Sequence, residues 1–210
     1  MPGWCISSDG LRKSFLGRIL KRIVDLIFSI LGLILTAPLV GFITVAIKLD
    51  SWGPVFYKQE RCGEGGRTFT ILKFRSMIDN AEDVCGPTWS HDNDCRITRT
   101  GSILRKFRLD EIPQMWNVLR GHMSLVGPRP ERPEFVEQLQ KIVPHYSARH
   151  NVKPGITGWA QVSYGYGASV EDAVEKLMYD LFYIKNMSFF FDLIIIFKTI
   201  KIVLQEKGAQ

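Results

Sequence analysis

Two adjacent carboxylates, Asp110 and Glu111, lie in the stretch RLDEIPQMWN, with basic residues just before them. The pair can be an ordinary helix start, because acids favour a helix N-terminus and Pro113 is tolerated in the first turn. It can also be chemical. A carboxylate among phosphate-binding cations can hold Mg²⁺, or it can attack phosphorus and form an acyl-phosphate. Adjacent helical side chains point about 100° apart, which favours one nucleophile and one metal ligand.

Basic residues that could serve these acids come from separate parts of the chain. Arg105 precedes the pair, and Arg129 lies between two prolines in GPRPE, which stiffen its backbone. Lys73 and Arg75 are two residues apart on a predicted strand, so both are expected on one face. These charges can form an ordinary solvated surface. They also suit a pyrophosphate substrate, since arginine pairs with phosphate oxygens through two parallel hydrogen bonds.

The net charge of +6 in 210 residues indicates an anionic partner, such as a nucleotide, a phosphorylated substrate, lipid headgroups or nucleic acid. No nucleic-acid recognition module is apparent, so we expect no nucleic-acid partner. The four cysteines form no C-x-x-C pair, which favours reduced thiols over a zinc site.

A long apolar segment is expected to position this chemistry near a membrane, the alternative being a buried helix of a soluble protein. The 22 residues from Leu26 to Ile47 carry no charge, and a helix of that length is about 33 Å long, enough to cross a bilayer. Basic residues flank both sides, and Pro38 interrupts the middle. The segment can cross, or it can dip in, turn near Ala37-Pro38 and return. The dipping form explains the proline and both basic flanks together.

The remaining pattern predicts a mainly helical α+β fold. Runs 55–61 and 67–74 read as a β-hairpin around CGEGG, and 79–100 as a long polar loop. Helices are expected before Asp110, at about 111–120, near 134–143, and after a cap formed by Ser169 and Asp172. The stretch 188–205 fits either a helix lying in the membrane interface or a terminal helix docked on the core.

Several motifs in order resemble the bacterial sugar transferases, the monotopic polyprenyl-phosphate phosphoglycosyl transferases. They cover about residues 18–205 and read KRIVDLIFS, QERCGEGGRTFTILKFRSM, RLDEIPQMWNVLRGHMSLVGPRPE, KPGITGWAQV and YDLFYIKNMSFFFDL. One departure is that GWAQV continues as SYGYGAS, where many small members have Asn-Gly-Arg. Any nucleotide contact made by that arginine must therefore come from elsewhere.

The resemblance implies an enzyme that transfers a sugar-1-phosphate from a UDP-sugar to undecaprenyl phosphate and releases UMP, with Mg²⁺ as cofactor. Asp110 would be the nucleophile and Glu111 a metal ligand. The resemblance also implies phosphate-binding or site-organising roles for four basic residues, Lys73, Arg75, Arg105 and Arg129. Gln161 is one further candidate site residue.

The resemblance also implies a fold and a location. We expect an N-terminal extension (1–17), a re-entrant membrane helix (18–50), and a catalytic domain (51–210) on the cytoplasmic face of the bacterial inner membrane. A small β-hairpin and amphipathic interfacial helices would surround an active site at the membrane surface. A non-catalytic membrane-bound scaffold of a glycan-assembly complex is the alternative function.

Overall fold

A computed structural model describes residues 15–79, 94, 96–165, 167 and 169–205. The described part is mainly helical with two small sheets, as the α+β prediction has it. The helices are α1 (Phe15–Asp50), α2 (Arg99–Lys106), α3 (Gln114–Leu119), α4 (Pro133–Ile142), α5 (Trp159–Ser163), α6 (Val170–Asn186) and α7 (Phe189–Leu204). The strands are β1 (Phe56–Cys62), β2 (Thr68–Phe74), β3 (Ser124–Val126) and β4 (Gly155–Thr157).

The predicted hairpin is confirmed. β1 and β2 pair antiparallel from Phe56 opposite Phe74 to Cys62 opposite Thr68. The turn contains Gly65 and Gly66 at positive φ (68° and 75°), a conformation that glycine adopts without steric cost. The second sheet was not predicted: β3 and β4 pair in parallel, with Ser124 opposite Gly155.

α1 is one uninterrupted helix through Pro38, so the predicted turn at Ala37-Pro38 is not confirmed. By length and composition it could cross a membrane over Leu16–Asp50. One stripe faces the protein, with Asp25, Ser29, Ile43 and Ile47 buried at helical spacing. The other faces are apolar and exposed, so along most of its length the helix packs against the protein on one side only.

The other predicted helices are present, with the start of one shifted. The capping box between Ser169 and Asp172 opens α6 as predicted. α7 has features of a helix docked on the core and of a helix in the membrane interface. Ile195 is fully buried, while Phe190 and Phe197 are exposed. Most of the predicted 79–100 loop and of the extension 1–17 lies outside the described residues, and the three predicted segment boundaries stay predictions.

Candidate active site

Asp110 and Glu111 lie in a short 3₁₀ turn, Leu109–Glu111, and α3 begins only at Gln114. The pair is therefore not the N-terminus of an α-helix. Arg108 precedes the turn in the left-handed conformation (φ 53°, ψ 25°), which is uncommon for a residue other than glycine and is a mark of functional sites. Ile112 packs into the apolar cluster that joins α1, β2 and α2, which fixes the turn. Both carboxylates are buried, at 8% and 7% exposure.

Glu111 is the anionic centre of the site. Its Oε1 accepts a hydrogen bond from Arg129 Nη2 at 2.8 Å and another from Lys73 Nζ at 3.3 Å. These cations come from different elements: Lys73 from β2 and Arg129 from the loop after β3. The structure thus brings together residues that are far apart in sequence, and three of the predicted site residues meet at one oxygen.

The environment separates the two acids electrostatically. Burial would raise the pKa of Glu111, but Arg129 and Lys73 outweigh it and hold that pKa well below its usual value. Burial raises the pKa of Asp110, with partial opposition from Lys73 and reinforcement from the charge on Glu111. The pKa of Arg129 is raised by Glu111, so both members of this pair are ionised.

Arg105 and Arg75 differ in where the structure places them. Arg105 Nε donates to Ser76 Oγ at 3.0 Å, and the positive charge of Arg105 lowers the pKa of Asp110. Arg75 instead holds the end of α1. Its Nη1 donates to the Trp52 carbonyl at 2.8 Å, and its Nη2 donates to the Ser51 carbonyl at 2.7 Å.

β2 ends at Phe74, so Arg75 lies just beyond the strand, and the expectation that Lys73 and Arg75 share a face stays a prediction. Alternation of side chains applies only within the strand. A phosphate-binding role for Arg75 stays a prediction. Gln161 is on α5, where its Nε2 donates to the Ile156 carbonyl at 3.3 Å, and its role also stays a prediction.

The sequence patterns do not indicate Asn117, and they include Arg108 only among the basic residues that precede the acidic pair. Asn117 on α3 accepts from the Leu72 amide (3.0 Å) and donates to the Thr70 carbonyl (2.7 Å), which docks β2 beside the acids. Arg108 has a charge that acts on both carboxylates. A buried asparagine inside an apolar helix is the one local signal that could have indicated the Asn117 contact.

The donor chemistry of the site fits Mg²⁺. Both described hydrogen bonds to Glu111 use Oε1, and Asp110 adds a second carboxylate next to it. Proteins commonly bind Mg²⁺ through one or two carboxylates plus substrate phosphates, with water completing the octahedron.

Comparisons with known proteins identify the family. The family model for "Bacterial sugar transferase" matches residues 16–206, so the chain belongs to the bacterial sugar transferase family. The family prediction made from the motifs, and with it the assignment to a family of enzymes, is confirmed.

Similar proteins carry informative names. A UDP-N-acetylgalactosamine-undecaprenyl-phosphate N-acetylgalactosaminephosphotransferase of Aeromonas hydrophila is 45% identical over 98% of this chain and 50% of its own length. A UDP-glucose:undecaprenyl-phosphate glucose-1-phosphate transferase of Escherichia coli (strain K12) is 42% identical over 89% of this chain and 40% of its own length. The exopolysaccharide production protein PSS of Rhizobium leguminosarum bv. phaseoli is 41% identical, over 87% of this chain and 94% of its length.

The chain therefore spans half or less of the first two relatives and nearly all of the third.

Proposed function

We propose that this protein transfers a sugar-1-phosphate from a UDP-sugar to undecaprenyl phosphate and releases UMP, in two displacements at one phosphorus atom. In the first, an Asp110 carboxylate oxygen forms a bond to the sugar-bearing phosphorus. The bond to the bridging oxygen breaks, and UMP leaves with that oxygen. In the second, a phosphate oxygen of the lipid attacks the same phosphorus and releases Asp110 as a free carboxylate.

The observation that carries this proposal is the unequal surroundings of the two acids. Glu111 is held by Arg129 and Lys73, whereas no described side chain donates a hydrogen bond to Asp110. A nucleophile needs an oxygen lone pair that no hydrogen bond occupies, which favours Asp110. Glu111, an anion held by two cations, is better suited to bind the metal beside the substrate phosphates. Arg129, Lys73 and Arg105 would offset the charge of the diphosphate that repels an anionic nucleophile.

Mg²⁺, when bound, would neutralise phosphate charge and stabilise the departing UMP. Glu111 is the residue that would hold it. Arg129 keeps Glu111 ionised and oriented through the 2.8 Å hydrogen bond, and Lys73 contributes a second positive charge at the same oxygen.

The contacts of α1 support a placement with both of its ends on one side of the membrane, rather than a helix that crosses the bilayer. Near its N-terminus, Arg22 donates to the carbonyls of Val118 and Leu119 at 2.6 and 2.9 Å. At its other end, Asp50 accepts from the Thr100 amide at 2.8 Å. Contacts of both ends with the same part of the chain support a position of both ends on one side of the bilayer. We infer that both ends of α1 lie on the membrane face that carries the active site, the cytoplasmic face of the inner membrane.

The direct test is UMP release by the full chain in detergent or nanodiscs, with Mg²⁺, undecaprenyl phosphate and a panel of UDP-sugars. We expect release that requires the lipid acceptor for sustained turnover and that is lost in Asp110→Asn. Lipid binding without UMP release from any UDP-sugar would instead support the non-catalytic scaffold.

A further inference from the structure

The loop that carries Arg129 is held at four consecutive carbonyls, those of residues 128–131. It follows β3 and contains two prolines, whose nitrogens cannot donate hydrogen bonds. Its carbonyls therefore provide most of its backbone attachment. The donors are Gly155 N to Pro128 O (2.9 Å), Arg149 Nη2 to Arg129 O (2.9 Å), Arg61 Nη1 to Pro130 O (3.2 Å) and Cys62 N to Glu131 O (2.9 Å).

Of these donors, Arg149 acts on Arg129 itself. Arg149 is 6% exposed and forms an ion pair with Asp180 of α6 at 2.8 Å. Its Nη1 also donates to the Tyr146 hydroxyl. A buried guanidinium needs such a counter-charge and several acceptors, and here the Arg129 carbonyl is one of them.

A continuous set of contacts consequently links α6 to the acidic pair. Asp180 pairs with Arg149, Arg149 holds the backbone of Arg129, and the Arg129 side chain binds Glu111 at 2.8 Å. Arg129 is thus fixed at both its main chain and its guanidinium. A misplacement of about 1 Å at such a group can cost on the order of a hundredfold in rate.

We propose that Arg149, with Asp180 as its counter-charge, is a positioning residue that sets the Arg129 guanidinium for phosphoryl transfer. This role rests on the proposed function for its kinetic consequence, but its structural consequence can be measured without any turnover. Arg149 could not be recognised as a site residue from the sequence, because its contact is to a main-chain oxygen 20 positions away.

The first experiment measures hydrogen–deuterium exchange in the peptide covering 127–132. Arg149→Lys keeps a charge for Asp180 but loses the planar fork. Arg149→Met/Asp180→Leu removes the buried pair together, a change that folded proteins often tolerate. We expect faster exchange in 127–132 in both variants, with peptides of α1 and α4 unchanged. Exchange in 127–132 at the wild-type rate in either variant would overturn the proposal.

The second experiment is a kinetic double-mutant cycle between Arg149→Lys and Arg129→Lys. Arg149→Lys alone should lower kcat about 10- to 100-fold while changing KM little. In the Arg129→Lys background the same change should have much less effect, because the group it positions is already altered. Equal effects in the two backgrounds would show that Arg149 acts independently of Arg129, and would contradict the proposal.

The control for a purely structural role is Leu139→Ala, in the same apolar cluster as Tyr146. It should lower the melting temperature while leaving kcat and the exchange of 127–132 unchanged. If Leu139→Ala reproduces the Arg149→Lys kinetics, the effect is general destabilisation and the proposal fails. Absence of UMP release by the wild type would reject the proposed function, while the exchange data would still decide the positioning role.

Discussion

Asp110 and Glu111 are neighbours and are equally buried, yet their pKa values move in opposite directions. Glu111 has two cations on one oxygen, so its pKa falls despite burial. Asp110 has no such direct partner among the described side chains, and burial raises its pKa above 3.8. At the residue scale, the site therefore keeps Glu111 ionised, while the ionisation of Asp110 depends on the charges around it.

This difference predicts the acidic limb of the pH–rate profile. Asp110 must be ionised to attack, so kcat/KM should fall as the pH drops through its raised pKa. Lys73 lowers the pKa of Asp110, so Lys73→Met should raise that pKa further. The acidic limb of the pH profile of kcat/KM, measured on the activity that remains, should then move to higher pH. Lys58→Met, at an exposed position of β1, should leave the limb in place. A limb that moves to lower pH in Lys73→Met would contradict this account.

Arg75 allows a test between a structural contact and the predicted phosphate ligand. Its guanidinium donates to Ser51 and Trp52, at the end of α1. Hydrogen bonds to charged groups contribute roughly 1.5–3 kcal/mol each, so Arg75→Met should lower the free energy of unfolding by a few kcal/mol. KM for the UDP-sugar should stay unchanged. A large rise in KM with unchanged stability would support the phosphate role instead.

At the element scale, local patterns predicted what local contacts determine. The hairpin was predictable because β1, its glycine turn and β2 are contiguous, and α6 because its cap and apolar stripe lie within one helix. β3 and β4 were not predictable, since each has three residues and its partner lies about 30 positions away. Arg149 and Asn117 were missed for the same reason, because both bind backbone groups distant in sequence.

The seating of α2 depends on a glycine. A Cβ on Gly101 would lie 1.9 Å from the Ser76 carbonyl oxygen, which is backbone and cannot swing aside. Gly101→Ala should displace α2, lower the free energy of unfolding by about 1–3 kcal/mol or more, and lower kcat because Arg105 moves with the helix. Thermal unfolding and UMP release would measure the two effects.

Gly41→Ala on α1 is the matched control. A Cβ at Gly41 would meet nothing within 4 Å, and alanine is about 1 kcal/mol better than glycine inside a helix. Stability and kcat should hold or rise slightly. If Gly41→Ala is as damaging as Gly101→Ala, the effect is not close packing of α2 against Ser76.

At the scale of the whole molecule, exposed apolar surface is the dominant feature. α1 presents Leu35 at 76% and Phe42 at 80% exposure, and Trp52 just beyond it is 96% exposed. Phe190 of α7 is 76% exposed. Such surface is covered in functioning proteins by a membrane or a partner, and an apolar face this long beside basic residues fits a bilayer.

If both ends of α1 lie on one side of the membrane, two positions that precede and follow the apolar segment in sequence should be labelled from the same side. Arg18→Cys and Lys58→Cys, each in a chain with its native cysteines replaced, should react equally with a membrane-impermeant thiol reagent in inverted vesicles. Neither should react in sealed right-side-out vesicles until the membrane is opened. Labelling of the two cysteines from opposite sides would show a crossing helix.

The central claim is that Asp110 becomes bonded to the phosphorus of the sugar phosphate. A raised pKa means that the native state gives up stability as the pH rises through that pKa, so Asp110→Asn should fold at least as stably as wild type at neutral pH. Its loss of activity would then not be a folding defect.

The most direct measurement is mass spectrometry of the acid-quenched protein after reaction with a UDP-sugar and no lipid acceptor. We predict an added sugar phosphate on the peptide that contains Asp110, removed when undecaprenyl phosphate is supplied and absent from Asp110→Asn. Turnover by the wild type with no adduct under these conditions, or an adduct that persists in Asp110→Asn, would contradict the account.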